Sequence, residues 1–209
     1  PGLDKFGSSS RDRAVWWGLG GYWTHYFFFW QTKAYEVMPR LVDSEVCIRV
    51  KGIFLIVTNP VDVLSYLVME YSGFPSHKVI GSGTVLDSAR LKYNVANRLG
   101  ISPKSFHAYQ VGEHGDSEFA LWSNANIGGQ PITDLISASE LKNIETDTKN
   151  QAYEIINKKG ATYYGIGACF TRIVYCIFND ENRVSPVSTY DNFSDCFFAF
   201  PTIVGRKGI

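Results

Sequence analysis

The chain has 209 residues, 45% of them hydrophobic, and its 20 basic and 20 acidic side chains leave it without net charge. That length and apolar content suffice for a buried core in one large domain or two small ones, while the balanced charge and the lack of a basic run argue against nucleic acid or an anionic membrane surface as partner. No apolar run is long enough to span a bilayer, the first 13 residues are too polar for a secretory leader, and Cys47, Cys169, Cys176 and Cys196 form neither a CxxC pair nor a metal-ligand spacing, a pattern of reduced thiols in a cytoplasmic protein with no metal.

In chain order, the pattern alternates between strands and helices. Residues 13–18 read as a strand, 22–35 as a helix and 39–43 as a second strand. Within this stretch AVWWGLGGYW places Gly18, Gly20 and Gly21 at a turn, and Asp43 follows Gly18 by 25 residues. A dinucleotide site needs that arrangement: a tight turn, backbone close to a pyrophosphate at a helix N-terminus, and a carboxylate for the ribose. Trp23 stands where a third glycine would let helix and strand touch, so on the residues alone a cofactor loop and an ordinary glycine turn fit equally. Residues 16–30 also hold nine aromatics, with Tyr26, Phe27, Phe28, Phe29 and Trp30 in one run, which suits no helix with a single covered face.

Residues 52–58, GIFLIVT, form the continuous apolar run of a parallel strand covered on both faces. Asn59 and Pro60 end it, with proline suited to the first turn of a helix that runs to about Tyr71 and stops at Gly73. Short strands are expected at 78–81 and 105–111. Between them LDSAR, residues 86–90, opens a helix in which Leu91, Val95 and Leu99 recur every fourth residue, closed by Gly100 and Pro103. From about residue 145 to 178 the pattern is helical with an interruption near Gly160; Ile166, Phe170, Ile173 and Ile177 line one side, and Cys169 and Cys176 share a buried face. Apolar pieces at 184–189, 197–200 and 202–205 are expected as antiparallel strands.

The chemistry concentrates in VGEHGDS, residues 111–117, where His114 lies between two glycines and is flanked by carboxylates. Histidine is the side chain whose unperturbed pKa lets it give and take a proton near neutrality. LDSAR offers Asp87 and Arg90, 27 and 24 residues before His114. A buried aspartate would fix the tautomer of the ring and stabilise its protonated form. An arginine would grip a substrate carboxylate through two parallel hydrogen bonds. Three residues apart in the first turns of a helix, the two can share a face and a cleft, although a helix-start carboxylate with a surface ion-pair partner would look the same. Likewise Asn59 could be a strand end and helix cap, and Ser82, in Gly-Ser-Gly, a turn residue.

TNPVDVL, GSGTVLDSAR, VGEHGDS and KGATYYGIG, in this order and spacing, resemble the L-lactate dehydrogenases of the bacterial branch of the lactate and malate dehydrogenase family, continuously over residues 52–182 and more loosely to Ile209. The resemblance implies an α/β fold: a Rossmann-type parallel sheet that binds NAD, incomplete here, over residues 1–81, followed by a mixed α/β substrate domain over 82–209. It implies hydride transfer between NADH and pyruvate to give L-lactate, with His114 as proton donor and acceptor, Asp87 as its partner and Arg90 as the clamp on the substrate carboxylate. Asn59 would lie beside the reacting oxygen, Thr162 in the substrate pocket and Ser82 at the nicotinamide carboxamide. Gly18 and Gly20 would form the cofactor turn, and Asp43 would take the ribose and select NAD over NADP. A cytoplasmic homotetramer working in glycolysis is the implied setting. His107 and Lys92 match positions that help bind fructose 1,6-bisphosphate in allosteric members, with lysine where those enzymes typically carry arginine; His107 as an ordinary strand residue is equally consistent.

The chain departs from the family in one long stretch. The loop that supplies a second arginine, which polarises the carbonyl, and the residue that separates pyruvate from oxaloacetate are not found. From Asp43 the chain reaches GIFLIVT within nine residues, skipping two strands with their helices, and the family's C-terminal helix is missing after Ile209. A strand absent from mid-sheet would orphan buried backbone groups at about 1–3 kcal/mol each, so an incomplete sequence and a break in the chain path over residues 43–52 are expected. Three functions follow: an L-lactate dehydrogenase, another 2-hydroxy acid dehydrogenase acting on malate or L-2-hydroxyisocaproate, or a catalytically dead NAD-binding subunit. The intact Asp87, Arg90 and His114 argue against the last.

Overall fold

The computed structural model describes residues 52–160, 162 and 164–209. The glycine turn with Gly18 and Gly20, Asp43, the aromatic run, and residues 43–51 with the expected break lie outside the described residues.

The apolar run forms β1 (Phe54–Ile56), shorter than the seven residues of GIFLIVT. It pairs in parallel with β2 (Val79–Gly81), and α1 (Val61–Ser72) connects the two. Pro60 stands at the N-cap of α1, just outside the helix, and Gly73 at φ 65° ends it, its N–H returning to the Met69 carbonyl. Two long strands complete the sheet. β8 (Arg183–Asp191) meets β2 antiparallel at Gly81 and Ser188, and β9 (Cys196–Val204) pairs with β8 over its whole length, giving the order β1-β2-β8-β9. The three apolar pieces expected in the tail are thus one hairpin. Pro201 does not end β9 because its register partner is Pro186, so the two residues without an N–H coincide at one site of the ladder.

Alternation along the strands builds a core on both faces of this sheet. Phe54 and Val79 point toward Val68 of α1, with Phe197 beside them. Leu55, Ile80, Val187 and Val204 point the other way, against Ile173, Cys176 and Ile177 of α4 (Tyr164–Phe178). The expected side of that helix is the buried one at Ile173 and Ile177, and Cys169 and Cys176 are both buried.

A third core lies between α2 (Val85–Leu99) and α3 (Ala138–Lys159), where Leu91, Val95, Phe106, Ile132, Leu141 and Ile144 meet. Helix α2 carries the predicted spacing and ends at Gly100, φ 67°. Helix α3 begins at residue 138, earlier than the apolar periodicity indicates, because Ser137 caps it by accepting from the Glu140 N–H; it ends at Gly160. The single strand expected over 105–111 is two. β3 (Phe106–His107) pairs with β6 (Asn126–Ile127), itself paired with β7 (Gln130–Pro131), whereas β4 (Gln110–Val111) pairs with β5 (Phe119–Ala120). Gly112 then exchanges both backbone hydrogen bonds with Ala199 of β9, which brings the histidine loop to the main sheet. Among the described residues no helix is long and apolar enough to cross a membrane.

Candidate active site

Helix α2 begins where β8 passes very close. A Cβ on Gly83, φ 51°, would lie 2.5 Å from the Ser188 nitrogen, so only glycine lets the chain turn from β2 into α2 here. One turn into the helix stands Asp87, with Arg90 three residues on, and Arg90 Nη1 donates to Asp87 Oδ1 at 2.9 Å. The other carboxylate oxygen, Oδ2, lies 2.9 Å from His114 Nδ1. That is an ion-pair contact in which neither atom yet has an aligned hydrogen-bond partner, and such contacts tighten when a substrate seats the ring. The predicted trio is therefore one connected chain of charges, Arg90–Asp87–His114, with the aspartate buried and the imidazole side chain 25% exposed.

The backbone of His114 is held separately. Its N–H donates to Asp62 Oδ2 at 2.9 Å, from the first turn of α1, and the Ser188 hydroxyl donates to Asp62 Oδ1. Strand β4 is tied to α2 beneath the site. Thr84 Oγ1 donates to the Gln110 carbonyl at 2.6 Å, and the Gln110 N–H donates to Ser88 Oγ at 2.8 Å. The Gln110 amide in turn donates to Glu118 Oε1 at 3.3 Å. Asp62, Ser188, Gln110 and Glu118 escaped the sequence reading. The one local mark, the Asp62 carboxylate in the largely apolar opening of α1, VDVLSYLV, is equally that of an ordinary helix-start acid.

The charges set the protonation states. The Asp87 carboxylate, 2.9 Å from Nδ1, raises the His114 pKa above the usual imidazole value, against the lowering effect of burial, and the charges of Glu118 and Asp62 add to the rise. Burial would raise Asp87, but His114 and Arg90 together bring it below the ordinary carboxylate value. The Cys169 thiol, also near Asp87, is pushed up to about 11 by burial first and by the Asp87 charge second, so it stays a thiol. Asp87, His114 and Glu118 place three possible metal-ligand atoms within 4.8 Å of one another. With Nδ1 and Oδ2 facing each other in an ion pair, the group is built for holding a proton.

His114 borders a cleft of about 370 Å³ lined by Pro60, Val61, Tyr66, Glu113, Asp195 and Phe197, among others. Asn59, exposed beside Pro60, and Ser82, buried with its N–H on the Ile56 carbonyl, stand just beyond the carboxyl ends of the parallel strands β1 and β2, where open α/β sheets bind their ligands. Arg90 is not part of this lining; it reaches the site through Asp87. Thr162 is half-buried between α3 and α4. His107 is exposed on β3, and the Lys92 ammonium lies 5.1 Å from the centre of the Tyr109 ring.

A mixed sheet covered by helices, with an Arg–Asp–His chain centred on a buried aspartate beyond the carboxyl ends of its parallel strands, defines an α/β domain. Residues 84–209 match the lactate/malate dehydrogenase α/β C-terminal domain, and the chain belongs to that family. An L-lactate dehydrogenase of Streptococcus suis is 45% identical over 185 residues, and one of Streptococcus pyogenes 46%; in both, the match covers 83% of this chain and 55% of the relative. The chain thus spans about half the length of these curated relatives. Among solved structures, the ligand-bound minor L-lactate dehydrogenase of Enterococcus mundtii is similar with a TM-score of 0.79 at 40% identity, covering 85% of this chain and 62% of that one. A lactate dehydrogenase from a Medee basin deep-sea metagenome gives 0.78 at 42% identity, covering 83% and 59%.

Proposed function

We propose that the protein is an NAD-dependent L-lactate dehydrogenase in which His114 exchanges a proton with the substrate oxygen. The observation that carries this reading is the Arg90–Asp87–His114 chain, built on a buried aspartate beside a cleft, in a member of the lactate/malate dehydrogenase family. Arg90 binds the substrate carboxylate while its Nη1 stays on Asp87, so the anion clamp and the orienter of the histidine share one carboxylate. Asp87 holds Nδ1 and stabilises the imidazolium, which leaves Nε2 to donate to the carbonyl oxygen of pyruvate. As negative charge develops on that oxygen, a proton donor there lowers the barrier to the reaction and does more than tighten binding.

NADH, when bound, supplies the hydride. Asn59 and Ser82 fit that cofactor by their place beyond the strand ends, Asn59 toward the reacting oxygen and Ser82 toward the nicotinamide, with Thr162 in the substrate pocket. Gly18, Gly20 and Asp43 complete the cofactor site in this reading, residues 1–81 serving NAD and 82–209 catalysis. The setting is a cytoplasmic glycolytic homotetramer acting on a small 2-oxo acid. Lys92, half-buried near Tyr109 and Arg183, and His107 are the residues for fructose 1,6-bisphosphate, to be tested by activation of turnover. The deciding experiment is NADH oxidation by the intact protein and its His114→Ala variant with pyruvate, oxaloacetate and 2-oxoisocaproate. Preference for pyruvate, with most turnover lost in the variant and NADH binding kept, supports the proposal; full turnover in the variant overturns it, and preference for another acid makes it a different 2-hydroxy acid dehydrogenase.

A further inference from the structure

Behind His114, whose Nδ1 is ion-paired with Asp87 Oδ2, two further buried polar atoms, Gln110 Oε1 and Glu118 Oε2, have no hydrogen-bond partner among the described residues. Glu118 is only 4% exposed, its other oxygen accepts from Gln110, and its carboxylate belongs to the group whose ligand atoms lie within 4.8 Å. Two carboxylates cannot both be ionised in so small a buried space without a cation between them. Arg90 pairs with the other oxygen of Asp87 in every state, so the cation that faces both carboxylates at once is the imidazolium of His114, and its charge disappears each time the ring gives up its proton.

We propose, resting on the assignment of His114 as the acid/base, that Glu118 is a positioning residue for the reaction, ionised while His114 carries its proton and protonated once His114 has given that proton to the substrate. In the reductive direction the Nε2–H bond of the imidazolium breaks as the O–H bond of the hydroxy acid forms. Glu118 then takes a proton from solvent hydronium; when His114 is recharged by a second solvent proton, Glu118 returns its own to solvent, so each turnover consumes one solvent proton in all. The net charge of the buried cluster stays constant, so neither state leaves two bare carboxylates facing a neutral ring.

The surroundings agree. Glu118 is faced by Asp87 from α2, His114 from its own loop, Gln110 from β4 and Lys149 from α3. Burial and then the Asp87 charge push it up to about 7, while His114, Gln110 and Lys149 pull the other way. His114 is faced by Asp87, by Glu118 and, from α1, by Asp62.

The test uses Glu118→Gln, which keeps the shape and the acceptor for Gln110 but cannot ionise. The His114 ring titration, followed by NMR, is expected to fall by about one pH unit, and the alkaline limb of kcat/KM for pyruvate should move with it. In the unsubstituted protein held at one near-neutral pH, infrared difference spectra triggered by pyruvate reduction should show a protonated-carboxyl band that is absent from Glu118→Gln, growing as His114 gives its proton to the substrate. An unmoved His114 titration in folded variant, or absence of that band, overturns the proposal. Lower turnover at every pH with an unmoved limb marks a purely structural role and overturns it too. Failure of the underlying assignment looks different, since His114→Ala would then keep its turnover whatever Glu118 does.

Discussion

Asp62 offers a quantitative test of how the histidine loop is held. Its two oxygens serve two donors, the His114 N–H at 2.9 Å and the Ser188 hydroxyl, and the side chain is buried. Asp62→Asn keeps the shape but presents one acceptor and one NH2 group, so one of the two donors must face another donor. A hydrogen bond to a charged group contributes about 1.5–3 kcal/mol, and an orphaned buried partner costs about 1–3 kcal/mol, so a loss of roughly 2–3 kcal/mol is expected. For a chain of this size that lowers Tm by roughly 5–10 °C. Urea unfolding at neutral pH should show a lower midpoint at unchanged m, and turnover should fall more than substrate affinity because the displaced group is the loop amide. Ser188→Ala removes the other end of the bridge. In a double-mutant cycle the two changes should couple by about 1 kcal/mol or more, because they break a shared hydrogen bond; strict additivity, within about 0.3 kcal/mol, would refute the bridge.

Three further outcomes can be checked directly. Gly83→Ala combines a left-handed φ of 51° with a Cβ placed 2.5 Å from the Ser188 nitrogen, and should destabilise by roughly 2–4 kcal/mol in urea unfolding. Arg90→Lys keeps the charge but loses the fork, so KM for pyruvate should rise by roughly tenfold or more while NADH binding is unchanged; equal KM values would remove Arg90 as the clamp. The pH dependence has a definite sign. Because the His114 pKa is raised, its pairing stabilises the fold fully below the ordinary imidazole value and is lost as pH rises through the raised one, and pyruvate reduction should fall over the same alkaline interval. The lowered Asp87 pKa stabilises above the ordinary carboxylate value and is lost as pH falls. Glu118 works oppositely, since ionising it between its ordinary 4.5 and about 7 costs up to roughly 3 kcal/mol, so Glu118→Gln should gain stability relative to the unsubstituted protein above that interval.

What could be read from the sequence divides along the range of the interactions concerned. Helix α2 was legible because its apolar spacing, its first-turn aspartate and its terminal glycine all lie within 15 consecutive residues. The pairing of Asp87 with Arg90 follows from helical spacing alone, and the chemistry of the two residues pointed to His114. The boundaries that failed are those decided elsewhere in the chain. The 105–111 segment splits because β6 claims Phe106 and His107 while β5 claims Gln110 and Val111, and β9 runs through Pro201 because Pro186 lies opposite it.

The same reasoning explains why the support of the site was invisible although its reacting group was not. Asp62 and Ser188 are 126 residues apart, and Asp62 lies 52 residues before the amide it accepts from. No local pattern distinguishes Asp62 from an acidic residue that complements a helix N-terminus. Glu118 would pass for an ordinary solvated acid until Gln110, Asp87 and His114 close around it. A proton donor needs a residue type that few positions can supply, so it stands out in the sequence. What sets its pKa and aims its ring is geometry, assembled here from α1, α2, β4 and β8, and any of several carboxylates in the chain could have filled those places.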